Sequence, residues 1–464
     1  MQRPKLAGVQ PVDPDPPART PTRTPTRTPA RPSTHPPTHC DVLVVGAGPA
    51  GSACAQALAQ AGLQVVLADQ HRFPRDKVCG DGLIPDAYAA LQRLGVLDEV
   101  LAQAQAVQMV RCIGPSGRHL DVPGSMAVLP RKQLDDILCR SAQRAGALLL
   151  APARFEAPLL EGERVVGARL RIEAADSPAA AHSISHELRA RWVVLATGAV
   201  PQALAAADMC ERHTPSGVAL RGYFRHPPLQ EHITQLQIVW HPEMRGGYGW
   251  VFPAPGGVFN LGVGLTDSHQ QGQDGKGRKQ AAGAQGGNLR HMLQAFGEVY
   301  APAGVLLSQG TPLGEMKGAP LRCGLRGARW SRPGLLVTGE AAGSTYAFSG
   351  EGIGKAMETG LLAAEALLHE SDFKSGTLQN GAADACASDA ALCQRYEAAM
   401  RALQPRFDIY QTANHVNRRP WLADLVIWRA NRSPRILAKV QGVLNETHTP
   451  RLFTVRGFAR LLFQ

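Results

Sequence analysis

Beginning at Asp41, short apolar runs alternate with glycine turns and alanine-rich stretches. Asp41-Val-Leu-Val-Val45 is apolar at every position after the first, the pattern of a parallel strand buried on both faces. A glycine-rich turn at 46–51 separates it from an alanine-rich helix over about 52–61, which Gly62 ends. Gln64-Val-Val-Leu-Ala68 predicts the next strand, with Asp69 at its end. Two later runs, Trp192-Val-Val-Leu-Ala196 and Gly334-Leu-Leu-Val-Thr338, each predict a buried strand followed by glycine. Strand, helix and strand in this order form a βαβ unit, so the expected fold class is α/β. From Gln394 onward the spacing is helical, with Pro405, Pro420, Pro434 and Pro450 expected to interrupt it. Residues 270–287 read as a surface loop and 371–392 as a spacer. No apolar periodicity precedes Asp41. Residues 1–39 hold 11 of the 35 prolines and repeat Thr-Arg-Thr-Pro, too little apolar surface to offset ordering entropy, so they read as a disordered Pro/Thr/Arg-rich tail.

Charge follows the same division. The 464 residues carry 49 Lys+Arg against 38 Asp+Glu, a net of +11. Residues 1–40 contribute +4 and residues 395–464 contribute +8, which leaves −1 for 41–394. A body this near neutrality argues against a nucleic-acid partner. Hydrophobic residues make up 44%, enough for a packed core, and no run of 18 apolar residues predicts a membrane span. The nine cysteines are odd in number, scattered and without a C-x-x-C pair, which predicts neither a disulfide framework nor a metal site and fits a reducing, cytoplasmic compartment. The tail lacks the apolar core of a secretory signal. The basic C-terminal stretch also holds Trp421, Trp428, Phe453, Phe458 and Phe463. That combination suits peripheral contact with an anionic membrane at its inner face, and equally an ordinary helical cap.

Two glycine motifs carry chemistry. Gly46, Gly48 and Gly51 give G-x-G-x-x-G between a strand and a helix: a tight turn, a backbone open to a pyrophosphate, and close helix–strand packing. Asp69, 18 residues after Gly51, is placed for a ribose hydroxyl. Dinucleotide binding follows, and this motif alone does not separate NAD from FAD. Further on, Gly339-Glu340-Ala-Ala-Gly343 and Ser349-Gly-Glu-Gly-Ile-Gly-Lys355 lead into a second alanine-rich helix. A carboxylate suits sugar or ribitol hydroxyls, and a helix N-terminus suits an anion.

Together these segments resemble the flavoprotein superfamily that includes p-hydroxybenzoate hydroxylase. The resemblance implies FAD, with Gly339, Glu340, Gly343, Gly350, Gly352 and Ile353 around the ribitol and flavin ring. Arg131, followed by Leu134 and Asp135, resembles the family's R-x-x-L-D helix start, where the arginine approaches FAD. Glu340 departs from the usual Asp by one methylene of reach. Pro74-Arg-Asp-Lys-Val-Cys79-Gly80-Asp81-Gly82 and Tyr248-Gly-Trp250-Val-Phe252-Pro253, with Gly262-Val-Gly264 eight residues later, resemble the geranylgeranyl reductase family. The likeness runs over about 41–370.

That resemblance implies a discontinuous Rossmann-type FAD-binding domain, an inserted antiparallel-sheet substrate domain and a C-terminal helical region. The FAD-binding parts are expected at about 40–83, 100–212 and 310–370, the substrate parts at about 84–99 and 213–309, and the basic C-terminal helices at 393–464. The implied activity is saturation of C=C bonds in an isoprenoid chain, a geranylgeranyl group or the polyprenyl tail of a lipid or quinone, by hydride transfer from reduced flavin. No second G-x-G-x-x-G in strand context exists for NAD(P)H, so NAD(P)H or a ferredoxin is the expected electron donor. Catalytic candidates are Cys79, a thiol able to give a proton or pack on the ring, and Tyr248 and Trp250, which share a strand face. Phe252 and Phe259 read either as channel lining or as sheet core. The alternative is an FAD-dependent monooxygenase or halogenase on the same fold; a halogenase would need W-x-W-x-I-P where this chain has Tyr248, Trp250 and Phe252.

Overall fold

In the computed structural model, which describes residues 36–173, 183–266, 288–369 and 382–444, the predicted apolar runs lie side by side. Strand His39–Val45 pairs in parallel with Val65–Ala68 on one flank and with Ser183–Leu195 on the other. Leu335–Val337 and Leu148–Leu150 extend the parallel sheet outward. Helices Pro49–Gln60, Ile353–Leu368 and Ala382–Ala413 send apolar residues into the same core as these strands. Cover of this kind is why the runs are apolar without alternation. Ser183–Leu195 is long because it serves twice: its first half pairs antiparallel with Arg164–Glu173, its second half lies in the parallel sheet.

The second sheet is mostly antiparallel. Its order runs Thr311–Pro312, Gly217–Arg225, Val258–Leu265, Gly247–Ala254, Leu236–Val239, Gln105–Ile113, His119–Val128 and Gly82–Leu83, with Lys317–Leu321 also on Gly217–Arg225. Its strands obey period two. Val251, Phe259, Leu261 and Val263 pack under helices Leu289–Val299 and Ala301–Gln309, while Tyr248 and Trp250 face the other way.

Three expectations are corrected. The hairpin Gln105–Ile113/His119–Val128 and the strands Thr311–Pro312 and Lys317–Leu321 belong to the second sheet, although 100–212 and 310–370 were assigned to the FAD-binding part. The hairpin's Val107, Val110, Met126 and Val128 find cover against Leu236 and Ala254, a distant pairing that local pattern does not specify. Conversely, 84–99 was placed in the substrate part, yet helices Pro85–Arg93 and Leu97–Leu101 pack with Leu134, Ile137 and Ile353 on the cofactor side. Finally, Ala382–Ala413 begins inside the expected spacer and runs through Pro405. A proline here removes an N–H and crowds the carbonyl four residues back, but Tyr396, Met400, Leu403 and Phe407 are buried in the main core and hold the helix together. The predicted loop at 270–287, the tail through residue 35, and Phe453, Phe458 and Phe463 lie outside the described residues.

The C-terminal helices His415–Arg418, Trp421–Ala430 and Pro434–Leu444 close over the aromatic face of the second sheet. Val416, Leu422, Ala423, Ile427 and Ile436 share one cluster with Trp240, Tyr248 and Trp250. Fully buried Asn417 pins them: its Oδ1 accepts from Trp240 Nε1 at 2.7 Å, and its Nδ2 donates to Asn414 Oδ1, Thr266 Oγ1 and the Phe348 carbonyl at 2.7, 2.9 and 3.0 Å. Among the described residues no helix is long and apolar enough to cross a membrane. Asn417→Ala strands the Trp240 N–H and should cost about 3 kcal/mol in a urea unfolding experiment. An unchanged midpoint would mean that the network does not anchor these helices.

Candidate functional site

The glycine turn is built by contact. A Cβ on Gly46, whose φ is +102°, would lie 2.3 Å from the Ala196 carbonyl oxygen, and one on Gly51 would lie 1.8 Å from the Gly46 oxygen. Neither position has room for a side chain, because strand, turn and helix touch there. Gly48 differs. A Cβ there would sit 3.5 Å from an Arg75 guanidinium nitrogen and 3.9 Å from one of Arg131, so bare backbone lies beneath two cations. Helix Pro49–Gln60 starts at this point with no side chain capping its first turn. Asp135, fully buried, holds both cations: Arg131 donates to it at 2.6 and 2.8 Å, and Arg75 lies 3.0 Å away. Burial works against the Arg131 charge, but the adjacent Asp135 outweighs it and raises the guanidinium's pKa. Asp69 lies 3.8 Å from Arg75 as well, so the local charges balance, and what faces Gly48 is two guanidinium edges beside the uncapped amides of a helix N-terminus, the chemistry of a diphosphate site. Arg75 Nε, buried and without a hydrogen-bond partner, is the atom that lies 3.8 Å from Asp69 Oδ1. The residues present therefore fit the diphosphate of a dinucleotide. Asp69 accepts from the amides of Ala47 at 2.8 Å and His71 at 2.9 Å, locking the turn to the end of the second strand.

The late motif closes the opposite side. Gly339, Glu340 and Gly343 form a short 3-10 turn after Leu335–Val337. Glu340 Oε1 lies 3.4 Å from the Arg322 amide and 3.5 Å from Thr345 Oγ1, and its Oε2 lies 4.0 Å from Lys77 Nζ. Gly352 caps helix Ile353–Leu368, and the Ile353 side chain is buried against Leu83 and Leu134. Gly350 lies close to Tyr248: a Cβ on it would sit 3.0 Å from the phenolic oxygen, and the Tyr248 hydroxyl donates to the neighbouring Ser349 carbonyl.

Tyr248, Trp250 and Phe252 stand at alternate positions of Gly247–Ala254, with successive ring centroids 6.2 and 6.4 Å apart. Phe259 is not with them. It is fully buried on the opposite face against the Phe296 cluster, which settles it as sheet core. The Cys79 turn meets the aromatic row directly: a Cβ on Gly80 would lie 3.2 Å from the Phe252 ring and 3.7 Å from Trp250 Nε1. Asn260 joins the two, accepting from Trp250 Nε1 at 2.9 Å and donating to the Cys79 carbonyl and to Asp81 Oδ2, each at 2.8 Å. The Asp81 amide donates to Cys79 Sγ at 3.3 Å. Burial pushes the Cys79 thiol above its ordinary value; Arg131 pulls it back and Asp81 reinforces the rise. Burial likewise pushes the Asp81 carboxyl up to about 6, against its hydrogen bonds from Tyr223 and Asn260.

Cys79, Tyr248, Trp250, Gly350 and Arg131 thus converge on one region. Sequence reading assigned no role to Arg75, Asp81, Tyr223 or Asn260. A signal existed for two of them: Asn260 is a lone polar residue in the apolar run Val258–Leu265, and Arg75 shares the Cys79 segment.

Comparison with known proteins agrees with the cofactor geometry. Residues 39–247 match the family model described as an FAD binding domain. The chain is 32% identical over 354 residues to a menaquinone reductase of Mycolicibacterium smegmatis, covering 70% of this chain and 75% of the relative. It is 28% identical to digeranylgeranylglycerophospholipid reductase 1 of Methanopyrus kandleri, covering 70% and 79%. A solved geranylgeranyl bacteriochlorophyll reductase-like protein of Thermoplasma acidophilum superposes with a TM-score of 0.65 at 20% identity, covering 92% of this chain and 96% of that one; likeness at this identity shows the fold alone.

The two kinds of glycine predict different failures. A side chain at 48 meets only the ends of the Arg75 and Arg131 side chains, so Gly48→Val should purify folded with flavin content lowered about tenfold, read as flavin absorbance per chain. Gly51→Ala should instead remove soluble protein. Full flavin content in Gly48→Val would displace the diphosphate from this turn.

Proposed function

This chain belongs to the geranylgeranyl reductase family of FAD-dependent oxidoreductases, and on that footing we propose that it saturates C=C bonds in the isoprenoid chain of a lipid or quinone. The carrying observation is the junction of the Cys79 turn with the Tyr248–Trp250–Phe252 row beside the Ser349–Gly350 loop. The relatives named as reductases of menaquinone and of a digeranylgeranyl lipid support the substrate class.

In this reading Gly46, Gly48, Gly51, Arg131 and Arg75 hold the FAD diphosphate and Asp69 a ribose hydroxyl. Gly339, Glu340 and Gly343 take the ribitol, and Gly350, Gly352 and Ile353 border the ring. Bound FAD, reduced by NAD(P)H or a ferredoxin, supplies a hydride for one alkene carbon. No carbonyl stabilises the charge on an isolated alkene, so the other carbon needs a positioned acid. Cys79 gives that proton. The thiolate left behind faces Arg131 and keeps the Asp81 amide as donor, and it recovers a proton from water. Tyr248 and Trp250 exclude water and align the chain, with the C-terminal helices as the outer wall. A long apolar substrate reaches this site from a lipid phase. Trp421, 58% exposed, lies on the same helix as Trp428 and Arg429, and we assign to this end a peripheral contact with an anionic membrane at the cytoplasmic face.

Anaerobically reduced protein given menaquinone or geranylgeranyl lipids should be reoxidised, with products heavier in steps of two hydrogens. Products that gain oxygen or halogen would replace this reading with the monooxygenase or halogenase one. Cys79→Ala should retain FAD and lose about tenfold or more in alkene turnover. Sedimentation with anionic but not neutral vesicles at low salt tests the membrane contact; equal recovery with both would remove it.

A further inference from the structure

The buried carboxylate beside Cys79 has no place in that scheme so far. Asp81 is fully buried and takes a left-handed backbone, φ +65°, which few residues other than glycine adopt and which aspartate tolerates. It touches the site at every polar atom. Its amide donates to Cys79 Sγ at 3.3 Å, and its carbonyl accepts from the Leu129 amide at 3.2 Å. Oδ1 accepts from the Arg131 amide at 3.2 Å, and Oδ2 accepts from Asn260 Nδ2 at 2.8 Å and from the Tyr223 hydroxyl. One side chain therefore joins the thiol turn, the start of helix Arg131–Arg144 and two strands of the substrate sheet.

We infer that Asp81 is a positioning residue that fixes the Cys79 thiol between Arg131 and the Trp250–Asn260 pair and, together with the buried setting, helps to hold its proton. This rests on the reductase reading, because a thiol has to carry its proton to donate it. The two charges nearest the sulfur oppose each other. Arg131 favours the thiolate and an ionised Asp81 favours the thiol. Two further charges bear on that balance: Asp135, bonded to Arg131, offsets the guanidinium, and Arg221 favours the ionised form of Asp81. Arg221 is turned to Asp76 and the Lys77 carbonyl, and Tyr223 and Tyr248 are raised far above neutrality by burial and stay neutral. The arrangement gives the step its order: Asp81 disfavours thiolate before proton transfer, while Arg131 and the Asp81 amide stabilise it afterwards. With its carboxyl pushed up to about 6 by burial, Asp81 is expected to carry its charge near neutrality and to lose it in mild acid.

The test reads the thiol directly. Cys79 alkylation by iodoacetamide, quantified on its peptide by mass spectrometry, is followed from pH 5 to 10 in FAD-loaded protein. Asp81→Asn keeps a residue type that accepts the left-handed turn, keeps Oδ1 for the Arg131 amide, and meets the Tyr223 hydroxyl with a donor it can accept, but sets that donor against Asn260 Nδ2, so flavin content and the urea midpoint are read beside it to show that the Asn260 contacts to Trp250 and Cys79 survive. Its Cys79 should alkylate roughly five-fold faster at pH 8, from a lowered thiol pKa. The wild-type protein carries its own signature: the rise of log rate with pH flattens near pH 6, where Asp81 gains its charge and makes the thiol harder to ionise. Unaltered alkylation in Asp81→Asn, or a wild-type profile rising through pH 6 without a break, overturns the inference. Both readouts are independent of turnover, so they stand or fall separately from the reductase reading, which fails only if no substrate gains hydrogen.

Discussion

The site depends on the side chain of Asn260. An amide buried in an apolar sheet is costly unless every donor and acceptor is satisfied. Here Oδ1 takes the indole N–H of Trp250, and the two Nδ2 hydrogens go to the Cys79 carbonyl and to Asp81. Complete satisfaction leaves one arrangement in which the thiol turn, anchored on the cofactor side, can meet the substrate sheet. Trp250 cannot rotate away without stranding its own N–H, so the aromatic row and the turn are held in register. Gly80 permits the contact, since the ring of Phe252 occupies the space a larger residue would need.

Electrostatics follow the same economy. Asp135 is shared by Arg131 and Arg75, so two guanidiniums are held in a buried place with one carboxylate between them. Removing that carboxylate would leave Arg131 without its partner and Arg75 with Asp69 alone, 3.8 Å away. The same Arg131 faces the Cys79 thiol. A single guanidinium thereby couples the diphosphate region to the thiol turn.

The C-terminal helices change the meaning of the basic end of the chain. Their apolar residues cover Tyr248 and Trp250, and Asn417 reaches the Phe348 carbonyl, immediately before the loop that Tyr248 contacts. They are a wall of the site as well as a charged surface. The near-zero net charge of residues 41–394 leaves the chain's positive excess on this end and on residues 1–40.

What was legible in the chain is what short spacing encodes. Gly46, Gly48 and Gly51 serve one strand–turn–helix unit, Arg131 and Asp135 are four apart on one helix, and Tyr248 and Trp250 are two apart on one strand, so each relation follows from a single element's period. The resemblance to a reductase family lay in these segments too. The tertiary structure alone decided that Arg75 shares Asp135 with Arg131, that the hairpin over 105–128 leaves the cofactor part for the second sheet, and that Phe259 faces away from Phe252. It also decided that Pro405 sits inside a continuous helix. Each of these turns on which distant strand or helix supplies the missing cover, and pairing register between remote segments leaves no trace in the local alternation of apolar and polar residues.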